Sequence, residues 1–228
     1  MFFSFRSEAE KRKTRSVRIL NKHGVPYIAH LPVISDHRSV CLKRKEEIAK
    51  RLLACMIAIQ VACELRDGDN EASASRAFFR EQLSAYSVQD CLTACEKEMF
   101  DGTPTTQNVV DMIWKYERCW VLLWALGFVK ELQDPSSLCD CTQAIRLVTS
   151  HRDFAAFCGA AKMRSVHEIL DEADLIYRYD WACSDARIHG RIQPANLDPG
   201  VVMERHMALN WLIGEECAED WDSISVDT

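Results

Sequence analysis

Three stretches of this sequence place ionisable residues at helical positions that ought to be dry. Around Trp114–Trp124, the residues Val110, Ile113, Trp120, Val121 and Trp124 share one face at the helical period. Glu117 falls in the middle of that face, while Asp111, Lys115 and Arg118 fall on the side expected to meet solvent. An isolated buried carboxylate is costly, so Glu117 needs a cation, several donors or a proton of its own. From Ser165 onward, Val166, Ile169, Leu170, Ala173, Ile176, Tyr177 and Trp181 make an apolar face. His167, Asp171, Asp174 and Arg178 run beside it at spacings of 4, 3 and 4, which is one line along a helix. Residues 201–213 are apolar in nearly every direction, yet they carry Glu204, Arg205, His206 and Asn210. Buried charges are normally paired. The three helices are therefore expected to meet, with Glu117 or Asp174 answering Arg205 or Arg178.

Two kinds of chemistry fit this set. The favoured one is structural: a satisfied buried network that fixes how the helices pack. In the other, the same residues line a pocket. His206 with Glu204 or Asp174 would then do acid–base work, and Arg178 and Arg205 would hold an anion in a forked grip. Metal binding has little support. Cys139-Asp140-Cys141 lacks a second cysteine pair at a usual spacing, Cys91 and Cys95 form a lone helical pair, and His167-Glu168 lacks the second histidine of a zinc-protease helix. There is no Gly-rich phosphate loop, dinucleotide fingerprint or Gly-x-Ser-x-Gly elbow. No metal and no cofactor is expected.

The elements that would position these residues are helices. With 48% hydrophobic and 27% charged residues in a chain of 228, a core can form without disulfides or metals. Eight Gly and six Pro are few for an all-β fold. A first helix is expected over 7–22, stopping at Gly24, and a second over 42–65 after an irregular connection. Shorter ones follow over 72–85 and 88–100, the latter capped by Ser87 with Asp90. One strong helix covers 107–126 and stops at Gly127. A loop over 133–140 is where two subdomains could divide. Short helices near 142–150 and 154–163 precede a long one, opened by a Ser165/Glu168 capping box and running to about 183. The next loop leaves room for a small β-hairpin over 187–197. Asp198-Pro199 then starts the last helix, to about 213. The fold class is all-α, a compact multi-helix single domain.

The net charge of −6 argues against nucleic acid as a general partner. The cations Arg6, Lys11, Arg12, Lys13, Arg15 and Arg18 read as a solvated helix face. The eleven cysteines are odd in number, irregular in spacing and follow no secretion signal, so no disulfide framework is expected. Cys55, Cys63, Cys119, Cys158 and Cys183 read as small hydrophobes. His23, His30, His37 and His151 read as surface residues. No apolar run reaches membrane length. Ile48 to Leu65 comes nearest, and Lys50, Arg51, Gln60 and Glu64 interrupt it. A cytoplasmic protein without a membrane partner is expected.

The three chemistry-bearing stretches also carry a resemblance. Trp114 to Glu117 running into Leu123 to Gly127, Arg164 to Ala182 with its His167, Asp171, Asp174 and Arg178, and Glu204 to Leu212 look like the bacterial proteins grouped as domain of unknown function 4272. The beginning, Arg12-Lys13 through Gly24 and Pro26 to Leu31-Pro32, fits as well, and so does the ending, Trp221 to Thr228. The resemblance implies a bacterial source and a single domain over 12–228, with 1–11 as an N-terminal extension. It speaks against a division near Gln133 and brings no activity, substrate or cofactor. The leading expectation for function is a non-enzymatic binding or interaction protein, with a protein partner or a small anionic ligand. The alternative is a small-molecule hydrolase using the charged cluster.

Overall fold

Residues 48–62 leave almost no polar direction, and they form the centre of the molecule. In the computed structural model, which describes residues 7–34, 36, 40–68, 72–214 and 220–226, they lie on helix α2 (Lys45–Asp67). Arg6, His37 and the last two residues, named above, lie outside the described residues. Ile48, Leu52, Leu53, Ala58 and Ile59 are fully buried. Ala54, Ala58 and Ala62 form a small-residue row at helical spacing, which lets neighbouring elements come close.

The neighbours of α2 are α3 (Ala72–Ala85), α4 (Ala94–Asp101), α5 (Thr106–Trp114), α6 (Tyr116–Ala125) and, further on, α8 (Phe154–Ala160). α7 (Cys141–Thr149) packs on α6. The second half of the chain is organised by α9 (Val166–Ile188) and α10 (Pro199–Ile213), which pack on each other. α10 also meets α5 and α6, and α1 (Glu8–His23) lies on α9. One apolar cluster runs through all of this, from Leu20 to Ile224.

Local chemistry sets most boundaries. Ser7 and Glu10 form a capping box on α1, and Gly24 closes that helix at φ 68°. Ser165 and Glu168 open α9, and Asp198 accepts from Gly200 and Val201 N–H to start α10. Gly127 is required twice over. Its φ is 81°, and a Cβ there would lie 2.3 Å from the Lys162 carbonyl oxygen. The segment after α8 is tied back at this point, with Lys162 N–H donating to Leu126 at 2.8 Å.

Four expectations need correction. The hairpin over 187–197 does not form, and no strand occurs among the described residues. α9 continues to Ile188 because Ala182, Cys183 and Ala186 prolong its buried face, and a 3₁₀ turn over Pro194–Asn196 follows. The helix over 88–100 begins only at Ala94, capped by Thr93 with Glu96, while Ser87 sits at φ 54°. The helix over 107–126 is broken at Lys115 into α5 and α6. Of the cysteines, nine among the described residues are free, but Cys41 is disulfide-bonded. The loop over 133–140 is stitched to α10, with Asp198 N–H donating to the Pro135 carbonyl at 2.8 Å. No helix among the described residues is long and apolar enough to cross a membrane.

Candidate functional site

The charges on α6, α9 and α10 are buried and matched. Arg205 Nε donates to Glu117 Oε2 at 3.0 Å, and its Nη1 donates to the Gln133 carbonyl at 2.6 Å. The other Glu117 oxygen accepts the Cys139 N–H. Within α9, Arg178 grips both oxygens of Asp174, at 2.9 and 2.8 Å, and both side chains are wholly buried. Arg178 also donates to the Pro32 carbonyl at 3.2 Å, which ties down the segment after α1. Such pairs must offset a large desolvation cost, so they add little net stability over apolar packing. They leave the guanidiniums of Arg178 and Arg205 turned to protein carboxylates.

His206 takes a partner that the sequence did not single out. Its Nδ1 lies 2.8 Å from Asp180 Oδ2, with the Tyr177 ring beside it. Asp180 stands off the line of His167, Asp171, Asp174 and Arg178. It is buried because α9 is covered on more than one side, with Arg178, Tyr179 and Asp180 all dry in succession. His206 itself is 2% exposed. His167 is exposed on the outer side of α9. Asp171 is half-buried and receives Arg15 at 2.5 Å and Arg12 at 3.4 Å. Arg12 is buried, and Lys13 donates to the Ala29 carbonyl at 2.7 Å, so the cations of α1 are partly spent on the protein itself. Asn210 donates to the Ser225 carbonyl at 2.9 Å and holds the tail.

Glu204 turns the other way, into a cleft of about 760 Å³ between α4, α5, α10 and the tail. Arg118 holds Glu204 through Nε and Nη2, and it donates to the Trp221 carbonyl at 2.8 Å. Lys115 Nζ meets Asp222 Oδ1 at 2.7 Å, and Asp222 also accepts the Cys95 N–H at 3.1 Å. Lys115 and Arg118 were expected in solvent. The break at Lys115, with ψ −5°, turns α6 relative to α5 and brings both cations under the tail. Burial pushes the Asp222 carboxyl up, but the hydrogen bond and charge of Lys115 outweigh it and hold the group below its ordinary value. Burial likewise opposes the Lys115 charge, and Asp222 helps to raise it above the ordinary lysine value.

Above this floor of closed ion pairs stand apolar walls. Met99, Met112, Met203, Met207 and Trp114 line the cleft. Gly200 is needed there, because a Cβ would sit 2.8 Å from the Trp114 ring. Two further carboxylates, Glu98 and Asp111, line the cleft and are exposed. Their hydrogen-bond partners are neutral, Thr103 N–H at 3.1 Å and the Gln107 amide at 2.7 Å.

One more ionisable group lies apart. Glu172 lines a cavity of about 60 Å³ with Arg205, Tyr179 and Leu209. Burial raises its carboxyl to about 7, against the lowering charge of Arg205. No group of three or more His, Cys, Asp or Glu side chains among the described residues could hold a metal ion.

The family model described as Domain of unknown function (DUF4272) matches residues 12–224, and the chain belongs to that family. No curated protein and no solved structure matches the chain.

Proposed function

We propose that this member of a family without an assigned activity is a non-enzymatic binding protein. It receives the apolar face of a basic amphipathic peptide segment in the cleft between α4, α5 and α10. The observation that supports this reading is the pairing state of the cleft. Its floor holds two cations, Lys115 and Arg118, each already closed by a carboxylate, while its walls are four methionines and Trp114. His206, the residue expected to do acid–base work, is sealed against Asp180 and does not line the cleft.

The cleft has the size of sites that bury a ligand or a few anchoring side chains. Methionine suits such a wall because its unbranched, polarizable chain repacks around different shapes. A helix laid in a groove is anchored by apolar residues at helical spacing. Charge selects the partner's sign. With Lys115 and Arg118 neutralised, Glu98 and Asp111 leave the cleft net negative, which favours a basic flank and steers its approach.

The test uses two designed amphipathic helices of leucine with lysine and of leucine with glutamate, titrated into the full chain by calorimetry. Saturable binding of the lysine peptide, weakened by salt and by Met203→Arg, is expected. Met203 is 40% exposed, so that substitution leaves the core intact. Equal binding of both peptides, or no loss with Met203→Arg, would sink the reading.

A further inference from the structure

Leu138-Cys139-Asp140-Cys141 leads into α7, and the fold gives these thiols surroundings that their spacing alone does not show. Cys141 is the first residue of α7, which Asp140 caps by accepting the Gln143 N–H at 2.8 Å. Both cysteines are half-buried and free, and only Asp140 separates them in the chain. Cys141 Sγ also lies 3.7 Å from the Cys139 carbonyl oxygen. On its other side, Cys141 faces a cavity of about 200 Å³, walled by Val110, Ile113, Trp114 and Leu138 and reached by the exposed Arg66.

The two sulfurs are not equivalent. The neighbouring Cys141 thiol, then burial and the Glu117 carboxylate, hold the Cys139 thiol well above its ordinary value. The Cys139 thiol in turn brings Cys141 below its ordinary value, against burial and the charges of Glu117 and Asp140. A helix N-terminus acts in the same direction on a thiolate. The other titratable groups close to Cys141 are Cys63 and Tyr116, and burial raises both above their ordinary values.

We propose that Cys139 and Cys141 form an oxidisable dithiol, reached by small peroxides through the Cys141 cavity, that closes to an intramolecular disulfide. The Cys141 thiolate attacks one peroxide oxygen, the O–O bond breaks, and hydroxide leaves. The sulfur loses two electrons, the peroxide gains them, and Cys141 becomes a sulfenic acid. Cys139 then attacks that sulfur. The S–O bond breaks, and the leaving hydroxide takes the Cys139 proton as water. With hydrogen peroxide, two thiols and one peroxide give one disulfide and two waters. Closure is within reach, because Cα atoms two residues apart span about 5.5–7 Å, overlapping the range that disulfides bridge.

The sequence provides its own assay. Trypsin cleavage after Lys130 and Arg146 releases residues 131–146, which contain these two cysteines and no other. The full chain is treated with stoichiometric hydrogen peroxide, alkylated with iodoacetamide without reductant, digested and weighed. The peptide is expected to lose two hydrogens, take up no alkyl group, and regain both sites after reduction. Cys139→Ser should stop at a Cys141 sulfenic acid that dimedone traps, and Cys141→Ser should abolish oxidation of the peptide. The exposed Cys95 is the internal control. A doubly alkylated peptide at peroxide levels that oxidise Cys95 would overturn the proposal, as would a sulfenic acid on Cys139 or a bridge to any other cysteine. The wild-type measurement decides even if a variant fails to fold.

Discussion

Glu117 and Arg205 show what a buried charge demands of its surroundings. Each is nearly sealed, and each has further hydrogen bonds, from Cys139 N–H and to the Gln133 carbonyl. Removing one partner leaves the other as an uncompensated buried ion, which costs about 3–5 kcal/mol, whereas replacing both with apolar side chains of similar volume is far milder. Arg205→Met is therefore expected to lower unfolding free energy by about that much, and Glu117→Leu with Arg205→Met to recover more than half of the loss. Urea denaturation of the three proteins checks it; a double variant no better than the single would mean that the pair is net stabilising by itself. This pair was legible in the sequence because a carboxylate in the middle of an apolar face has few other answers. The His206–Asp180 contact was not, since Asp180 stands off the polar stripe and only the covering of α9 on several sides makes it dry.

Helices α1, α9 and α10 could be read from periodicity and caps, because both are local. What could not be read was the break at Lys115, one residue whose ψ of −5° resets the phase of everything after it. The tail was equally hidden. Its anchors join residues about a hundred positions apart: Lys115 to Asp222, and Arg118 to the Trp221 carbonyl. Trp221 is buried, with the Arg51 and Arg118 guanidiniums each 5.6 Å from its ring centroid and Trp211 edge-on at 5.1 Å. Trp221→Ala is expected to cost about 3–5 kcal/mol, as for other buried Trp truncations. Hydrogen exchange at 220–226 should rise by more than it does in the α9–α10 pair. Uniform deprotection across the chain would show that the tail is not a separate clasp. At the start of α9, Ser165→Ala should remove one cap and cost about 1 kcal/mol by denaturation midpoint.

The whole molecule brings together a cleft and a charged seam that no single stretch encodes. The cleft's walls come from four separate segments, so its methionines become a lining only in the fold. The same assembly half-buries Glu172 and makes stability depend on pH through it. Its carboxyl rises from 4.5 to about 7, so between those values the folded chain holds a proton that the unfolded chain has lost. Stability from this group is complete below about pH 4.5 and falls as pH rises through 7. Asp222 acts oppositely: its carboxyl is lowered, so its contribution is present above its unfolded value and is lost as pH falls. The combined contribution of these two groups is greatest in mildly acidic solution. At 1.36 kcal/mol per unit, Glu172 accounts for a decline on the order of 2–3 kcal/mol between pH 5 and pH 8. Glu172→Gln keeps the shape and cannot ionise, so it is expected to flatten that decline and to be more stable than the wild type at pH 8 while matching it at pH 5. Urea midpoints at pH 5, 6, 7 and 8 for both proteins decide the matter. Parallel curves would mean that Glu172 is ionised in the folded chain throughout, held by Arg205 more strongly than burial opposes it.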